Sequence, residues 1–362
     1  MNKLHLYLSN LDHNYKIIRS QLSSNTELFA VVKAGAYGSG LLKIAKRLEQ
    51  LGVDYLAVAY AKEGKVLREG GINIPILVFY PQTEGLETII EFNLEPSLYS
   101  MNVFKTFRHI LKKKKLKYYP VHIKYNTGLN RVGFNPNQAS WIIEQFDRDE
   151  FILKTVYSHL SASETDKNSP VNISQINTFL ELKKLHDVDP NNDPKFHLLN
   201  SSGIFNNPEY EFDAVRCGIA LHGYANRHSW DQQLKPLASL HSKISQIHKV
   251  KKGAYVGYDL GWKATRDCTI ATLPIGHSDG IGRHFGHEKG HVLINGMSAP
   301  IVGNICMDMI MVDISKISCK EEDAVVIFGK EQNAAEFAES VDTISYEILC
   351  GIGPRVERIF HP

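Results

Sequence analysis

One apolar segment of this chain ends in a single lysine and turns into small residues: positions 30–38 read Ala-Val-Val-Lys-Ala-Gly-Ala-Tyr-Gly. The apolar residues before Lys33 predict a buried strand with the lysine at its end. A primary amine attacks a carbonyl only when unprotonated, and an apolar pocket lowers the pKa of a lysine from its ordinary value of about 10.4. Lys33 is therefore a candidate for forming a Schiff base. On position alone, a strand-end lysine that reaches water is an equally good interpretation.

Further apolar runs follow this first strand, and most are separated by segments of helical period. The predicted strands are Leu28–Lys33, Tyr55–Ala59, Ile74–Tyr80, Glu95–Tyr99, Val121–Tyr125, Leu153–His159, Phe196–Asn200 and Ala214–Arg216. Apolar strands that alternate with helices are typical of a parallel sheet covered by helices. Eight such units within about 225 residues predict an α/β fold of the (β/α)8 barrel type.

The polarity and the hydrophobic period of the sequence change after Tyr224. Residues 226–236 are polar, and beyond them the helical period gives way to short strands and turns. Asn295-Gly296 between two apolar runs predicts a hairpin. We therefore predict a barrel domain over residues 1–230 and a mostly β domain over residues 231–362.

Composition excludes several classes of protein. The 362 residues carry a net charge of +2, which gives no support to a nucleic-acid partner. No apolar run is long enough to span a bilayer, and the N-terminus lacks the apolar core of a signal peptide, so we expect a cytoplasmic protein without a membrane partner. The five cysteines are odd in number and have no C-x-x-C spacing, so we expect neither a disulfide framework nor a metal site.

Reactive residues recur at the predicted strand ends, where the chemistry of such barrels gathers. They are Lys33, Arg131, His159, Asn200, Ser201, Arg216, Gly218 and Ile219. Each has a structural interpretation when taken singly: His159 as a core histidine, Arg131 as a surface ion-pair partner, Ser201 as a helix cap. Together they predict one site at the mouth of the barrel.

The segment around Lys33 resembles the lysine motif AVVKA-x-AYG-x-G of the alanine racemases. Further matches follow in order along nearly the whole chain: Lys124 with Thr127–Arg131, Tyr157–His159, Val215–Ala220, Val256–Tyr258, Leu273–Gly280, Gly303–Asp308 and Ile344–Glu347. The resemblance implies a barrel that binds pyridoxal 5'-phosphate (PLP), followed by a β domain. It also implies an isomerase that supplies D-alanine for peptidoglycan.

Several residues suit that cofactor. Backbone amides and hydroxyls at Asn200, Ser201, Gly218 and Ile219 can hold its phosphate, and Tyr37 and Tyr346 add phenolic donors. Arg216 is the candidate partner of the ring nitrogen, and His159, at the end of the sixth predicted strand, is a further candidate for binding the cofactor. A permanently charged arginine opposes protonation of that nitrogen, which favours simple proton return over transamination.

Racemisation needs one base on each face of the substrate Cα. By resemblance, Lys33 serves the D-alanine face and Tyr258 the L-alanine face, with Tyr258 coming from the second domain of a partner subunit. The resemblance thus implies a homodimer with two shared sites. For Tyr258 to act as a base it needs positive neighbours, and we expect His159 and Arg216 to supply them.

The substrate carboxylate has its own candidate residues. By resemblance, Arg131 binds it in a bidentate fashion, with the Met307 backbone nearby. Lys124 matches the position that is carbamylated in many relatives and orients that arginine.

The sequence departs from the family pattern at Gly35, Ser39, His277 and Gly353-Pro354. His277 replaces a tyrosine near the substrate entrance, so a serine or broad-specificity racemase stays open as an alternative. A PLP-carrier protein is the non-enzyme alternative, against which the second domain with Tyr258 argues. A related decarboxylase would need an acidic partner for the ring nitrogen, which Arg216 does not provide.

Overall fold

A computed structural model describes residues 2–187 and 193–362. Its strands in chain order are β1 (Lys3–Tyr7), β2 (Glu27–Val31), β3 (Tyr55–Val58), β4 (Ile76–Val78), β5 (Glu95–Leu98), β6 (Tyr119–Lys124), β7 (Phe151–Tyr157), β8 (Lys195–His197), β9 (Ala214–Cys217), β10 (Ala238–Lys243), β11 (Gln246–Val250), β12 (Tyr255–Val256), β13 (Trp262–Lys263), β14 (Cys268–Leu273), β15 (His291–Ile294), β16 (Met297–Val302), β17 (Ile310–Asp313), β18 (Ala324–Phe328) and β19 (Glu357–His361).

The helical segments are α1 (Leu8–Ser20), α2 (Lys33–Tyr37), α3 (Leu41–Leu51), α4 (Ala61–Glu69), α5 (Leu86–Glu91), α6 (Met101–Lys114), α7 (Ala139–Glu144), α8 (Pro170–His186), α9 (Ser201–Asn206), α10 (His228–Asp231), α11 (Ala334–Glu339) and α12 (Ser345–Cys350). Across residues 2–187 and 193–362, none of the helices combines the length and apolar character that a bilayer crossing requires.

Strands β2 to β9 form a closed parallel barrel in sequence order, with β9 pairing back to β2. The eight predicted strands are therefore confirmed. Their apolar residues are buried on both faces, inside the barrel and under the helices, as in Tyr55–Val58, whose four residues are all buried. This double burial explains why the strands appear in the sequence as continuous apolar runs.

The second domain is built on a nine-stranded sheet in the order β11-β14-β17-β16-β15-β18-β10-β1-β19. The predicted hairpin is present: β15 and β16 are joined by Asn295 and Gly296, whose φ angles of 51° and 75° belong to a type I′ turn. The mostly-β character of this domain is confirmed.

Strand β1 lies in this second sheet, antiparallel to β10 and parallel to β19. The sequence interpretation assigned residues 1–230 to the barrel, and residues 3–7 depart from it. Leu4 and Leu6 alternate with more exposed residues and are buried in the core, so β1 needs a sheet partner. Its partners lie more than 230 residues away in sequence, which no local pattern reveals.

Candidate active site

One cavity of about 870 Å³, open to solvent, lies where the carboxyl ends of the barrel strands meet. Eleven residues singled out from the sequence line it: Lys33, Tyr37, Lys124, Arg131, His159, Asn200, Ser201, Arg216, Gly218, Ile219 and Tyr346. The sequence reasoning did not assign Val31, Phe79, Tyr80 or Tyr157 to the site, although Tyr157 stands in the Tyr-Ser-His motif. Tyr258 and Met307 do not line the cavity.

The backbone after Lys33 forms one left-handed turn. Ala34, Gly35, Ala36, Tyr37 and Gly38 all have φ angles between 51° and 75°. Hydrogen bonds from the Ala36 amide to Val32 (2.8 Å) and from the Gly38 amide to Ala34 (2.9 Å) close the turn. Left-handed conformation costs an L-residue about 1–2 kcal/mol, so surrounding contacts must hold the segment.

Glu63 and Arg358 supply those contacts. The Glu63 carboxylate accepts the amide of Ala34 at 2.6 Å, directly after the lysine. Arg358, on the last strand of the second domain, donates two hydrogen bonds to the Gly38 carbonyl at 3.2 and 3.1 Å. The chain packs so tightly here that a Cβ on Gly38 would lie 2.2 Å from the Leu349 carbonyl oxygen. Elements of both domains thus fix the backbone that carries Lys33.

The cavity is strongly cationic. Lys33, Lys124, Arg131 and Arg216 line it, and no Asp or Glu is among the residues that do so in the described part of the chain. Burial lowers the pKa of Lys33, and the charge of Arg131 lowers it further, against the opposing effects of Cys350 and Glu63. Such a site suits a ligand with several negative charges, and it lowers the cost of a neutral, nucleophilic lysine.

Arg131 lies on the loop that follows β6. The Asn126 side chain shapes this loop by accepting the amides of Gly128 (3.2 Å) and Asn130 (2.9 Å). The guanidinium of Arg131 forms no ion pair with any residue in the ranges 2–187 and 193–362, so both of its edges are free for a carboxylate.

Lys124 is buried at the end of β6. Its Nζ lies 5.3 Å from the ring centroid of Tyr80 and 5.6 Å from that of Tyr157. Burial lowers the pKa of Lys124 to about 7, with further lowering by Arg131, Arg216 and Lys33. A large fraction of this lysine is therefore neutral near pH 7 and able to react with carbon dioxide.

Arg216 projects from β9 and is fully enclosed. Its Nη2 donates to the carbonyls of Ser158 (2.6 Å) and Leu198 (2.8 Å), and its Nη1 donates to Nδ1 of His197 (2.5 Å). Burial lowers the pKa of Arg216 to about 10, which leaves the guanidinium charged at neutral pH. The Nδ1 atom of His159 lies 3.3 Å from Nη2.

His159 has a different charge from the one expected. Burial lowers its pKa well below the ordinary value, and the neighbouring charges of Arg216, Lys124 and Arg131 lower it further. Since a guanidinium only donates, Nδ1 of His159 accepts from Arg216 and the ring is neutral. The expectation that His159 is a positive neighbour of Tyr258 is therefore wrong.

The opposite end of the cavity carries polar groups suited to a phosphate. Ser201 Oγ accepts the amides of Gly218 (3.0 Å) and Ala220 (3.3 Å), and thereby joins the loops after β8 and β9. A Cβ on Gly218 would lie 2.1 Å from the Tyr37 hydroxyl, so only glycine permits this approach. Burial raises the pKa of Tyr37 and brings that of Tyr346 to about 12, which keeps both phenols protonated and able to donate.

Tyr258 and Met307 lie on the outside of the second domain. Their exposed fractions are 69% and 58%, and Leu260 beside Tyr258 is 66% exposed. The backbone under them is well held: Asn304 donates to the Tyr258 carbonyl at 3.0 Å, and the Ser278 amide donates to the Met307 carbonyl at 3.1 Å. Large apolar side chains that stand exposed on a hydrogen-bonded backbone are frequent at interfaces.

Comparison with known proteins identifies the family. The model of the alanine racemase N-terminal domain matches residues 6–226, and that of the alanine racemase C-terminal domain matches residues 237–360. The chain belongs to the alanine racemase family. The alanine racemase of Clostridium novyi is 36% identical over an alignment that covers 98% of this chain and 93% of that protein.

Solved alanine racemases have the same architecture. The structure from Clostridium difficile 630 aligns with a TM-score of 0.91 at 34% identity, over 99% of this chain and 95% of that one. The structure from Bartonella henselae, which contains covalently bound pyridoxal phosphate, aligns with a TM-score of 0.90 at 30% identity, over 99% of both chains. The chain is thus a PLP-dependent isomerase with alanine racemase activity.

The residues of the cavity fit that cofactor. The half-buried Lys33 with its lowered pKa suits the aldehyde, and the cationic lining suits the phosphate. Gly218 lets the Tyr37 phenol approach closely beside them. The departures from the alanine racemase pattern are also accommodated. Gly35 adopts φ 65° with open space beyond it, and Ser39 Oγ lies 3.4 Å from Nδ1 of the buried His222. His277 is exposed on the second domain.

Proposed function

We propose that this chain interconverts L-alanine and D-alanine with two bases on opposite faces of the substrate, Lys33 and Tyr258 of the partner subunit. The observation that carries the proposal is the gathering of Lys33, Lys124, Arg131 and Arg216 in one cavity that lacks acidic lining residues within the described ranges. Bound through Lys33, PLP supplies the electron sink that acidifies the Cα–H bond of an amino acid.

Lys33 moves the proton on the D-alanine face. Its amine lies at the end of an apolar strand, where burial and Arg131 lower its pKa and favour the neutral form that accepts a proton. The left-handed turn behind it, held by Glu63 and Arg358, fixes the backbone from which its side chain extends. This pre-organisation is what proton transfer between fixed positions requires.

Arg131 holds the substrate carboxylate. Its guanidinium has no carboxylate partner within the described part of the chain, and the Asn126 side chain orders the loop that carries it. A carbamylated Lys124 would place a negative charge beside that guanidinium and orient it. The lowered pKa of Lys124 and its position next to Arg131 support the modification.

Arg216 is the proposed partner of the cofactor's ring nitrogen. All of its hydrogen bonds within the described residues go to carbonyls and to histidine nitrogens, so its charge is not neutralised by an acid. A charged donor disfavours protonation of the ring nitrogen it faces, which weakens the electron sink and limits transamination.

Tyr258 and Met307 complete the site across a dimer. Neither lines the cavity of its own chain, and both stand exposed on an ordered apolar patch. In a twofold arrangement each chain gives its Lys33 to one site and its Tyr258 to the other. Since His159 is neutral, the positive charge that Tyr258 needs beside it to act as a base would come from Arg216 and from the substrate end of the cavity.

The D-alanine made by this reaction is proposed to enter peptidoglycan, with the enzyme in the cytoplasm. All five cysteines are unpaired, as expected in a reducing compartment. Deletion of the gene should make growth depend on added D-alanine, and a Lys33→Ala gene should not restore independence. Growth without D-alanine after deletion of this and any second racemase gene would contradict the proposal.

The direct test is a spectrum followed by an assay. The purified protein should absorb visible light after reconstitution with PLP and should racemise alanine faster than serine or other amino acids. A preference for serine would favour the broad-specificity alternative. A coloured protein without racemisation would favour a PLP carrier, and a protein that cannot bind PLP would refute the proposal.

A further inference from the structure

A line of polar side chains crosses the interior of the barrel beneath Arg216. Each successive barrel strand, from β9 back to β5, contributes one residue. The consecutive distances are 2.5 Å from Arg216 Nη1 to His197 Nδ1, 2.8 Å from His197 Nε2 to Thr155 Oγ1, 2.8 Å from Thr155 Oγ1 to His122 Nδ1, and 2.9 Å from His122 Nε2 to Glu95 Oε2. The two histidines and Thr155 are buried, so no water competes for these bonds.

Each bond in the line has one direction. The guanidinium of Arg216 only donates, so Nδ1 of His197 accepts and its proton sits on Nε2. Nε2 of His197 then donates to the hydroxyl of Thr155. The Thr155 hydroxyl in turn donates to Nδ1 of His122, which puts the remaining proton of His122 on Nε2, facing the carboxylate of Glu95.

A doubly protonated His122 would break this order. Both of its nitrogens would then donate, and Thr155 Oγ1 would receive hydrogen bonds from two histidines. The hydroxyl hydrogen of Thr155 would have no acceptor within the described residues, since its neighbours at hydrogen-bond distance are these two rings. Leaving a buried donor unpaired is unfavourable, so the one-directional line is the satisfied arrangement.

The rings in the line cannot easily turn over. His197 is stacked on Tyr157 at 4.7 Å between centroids and 6° between planes, and Phe29 packs on it at 4.9 Å. His122 meets the edge of Tyr55 at 5.9 Å. The tautomer of each histidine is therefore set by its hydrogen-bond partners.

Glu95 is the acceptor at the end of the line. It also accepts the Tyr55 hydroxyl at 3.2 Å. Burial alone would raise the pKa of the Glu95 carboxyl, but the hydrogen bond from His122, the charge of Lys154 and the hydrogen bond from Tyr55 hold it below the usual value. Glu95 is thus a carboxylate, with a side chain only 12% exposed, at the far side of the barrel interior from the cofactor cavity.

We propose that Glu95 is a positioning residue for Arg216. Through His122 and Thr155 it holds His197 in the tautomer whose Nδ1 accepts from the guanidinium, and so keeps Arg216 aimed and charged. If the hydrogen bonds of the line ran in the opposite direction, the proton of His197 would sit on Nδ1 and face an N–H donor of Arg216. The expected effect of Glu95 on catalysis rests on the proposed role of Arg216. The effect of Glu95 on the tautomer of His197 does not depend on that role.

The test is a double-mutant cycle read by NMR on the PLP-loaded protein labelled with 15N-histidine. In the wild type, the His197 signals should show a protonated Nε2 and an unprotonated Nδ1. Glu95→Gln, which removes the charge at nearly constant shape, should shift those signals. Thr155→Val cuts the line, so in that background Glu95→Gln should leave His197 unchanged. Thr155→Ala serves the same purpose if valine is not accommodated.

Two control variants distinguish loss of the hydrogen-bonded line from a nonspecific effect of substitution in the barrel interior. Thr155→Ser keeps the hydroxyl and should leave the His197 signals like those of the wild type. Tyr55→Phe removes the other hydrogen bond to Glu95 but keeps the line, and should do the same. In the racemisation assay, Thr155→Val should lower kcat roughly tenfold, the value of one buried hydrogen bond, with KM for alanine nearly unchanged.

Three results would overturn the inference. They are no shift of His197 in Glu95→Gln, an equal shift in the Thr155→Val background, and an equal shift in Tyr55→Phe. Failure of the proposed function looks different, because a protein without racemisation would still show the tautomer of His197 and its dependence on Glu95.

Discussion

The carboxylate of Glu63 accepts a hydrogen bond of 2.6 Å from the backbone amide of Ala34 and so anchors the first peptide after Lys33. The other oxygen of Glu63 accepts the amides of Ala59 (2.8 Å) and Tyr60 (3.2 Å), at the end of the neighbouring strand. One side chain thus ties the left-handed turn to β3. The charge of Glu63 also opposes the lowering of the Lys33 pKa by burial.

Glu63→Gln should lower both stability and activity. An amide presents a donor to one of these backbone N–H groups, and each hydrogen bond lost costs about 0.5–1.5 kcal/mol. The free energy of unfolding in urea and the racemisation rate measure the two effects. Glu69→Gln is the matched control, because Glu69 forms only an exposed pair with Lys65 at 3.7 Å, and it should change neither quantity appreciably. Equal behaviour of the two variants would contradict the anchoring role.

Lys33→Ala should abolish cofactor attachment and racemisation in both directions. It removes the only residue proposed to link the cofactor and one of the two bases. Borohydride reduction of the PLP-loaded wild type, followed by peptide mapping, should place the label on Lys33. A label on Lys124, the other lysine that lines the cavity, would show that the assignment is wrong.

Lys124 should become carbamylated as the pH rises. Its pKa of about 7 makes the reactive neutral amine predominant above that pH. Incubation with 13C-bicarbonate should give a carbamate NMR signal that grows between pH 6 and pH 8 and is absent from Lys124→Met. A signal that persists in that variant would assign the modification elsewhere.

The same lowered pKa predicts how stability depends on pH. Between about pH 7 and the ordinary lysine pKa of 10.5, the unfolded chain binds more protons at this position than the folded one. The free energy of unfolding contributed by Lys124 therefore rises with pH across that window. Urea titrations without bicarbonate should show the smaller pH dependence in Lys124→Met, and identical slopes would contradict the shift.

Arg216→Glu should lower racemisation and raise transamination. An acid in place of the guanidinium favours a protonated ring nitrogen and a stronger electron sink. Formation of pyridoxamine phosphate from alanine measures the change, with Arg216→Lys as the variant that keeps the positive charge. No increase in the acidic variant would remove Arg216 as the ring-nitrogen partner.

Mixed dimers should recover activity from two inactive parents. If Lys33 and Tyr258 act in trans, a dimer of Lys33→Ala and Tyr258→Phe subunits has one site with both mutations and one intact site. With random pairing at equal amounts, half of the dimers are mixed, so activity should approach roughly a quarter of that of the wild type. Verified subunit exchange without recovery would show that Tyr258 acts within its own chain or is not the base.

Much of this architecture follows from local patterns. The eight barrel strands stand out because both faces of each are covered, so most of their residues are apolar. The parallel barrel then brings all strand ends to one mouth, which is why residues as distant as Lys33 and Arg216 were predicted to share a site and line one cavity.

Other features depend on residues that meet only when the chain folds. The partners of β1 lie at the other end of the sequence, and the polar line under Arg216 takes one residue from each of five strands. His159 stands in the Tyr-Ser-His motif and was expected to be positively charged, yet its charge is decided by burial and by the four cations around it. The hydrophobic periods of strands and helices, two and 3.6 residues, depend only on positions close together in the sequence. The strands and the site residues at their ends could therefore be predicted from the sequence. Hydrogen-bond direction and protonation depend on distances between remote side chains and on the exclusion of water, which tertiary packing alone decides.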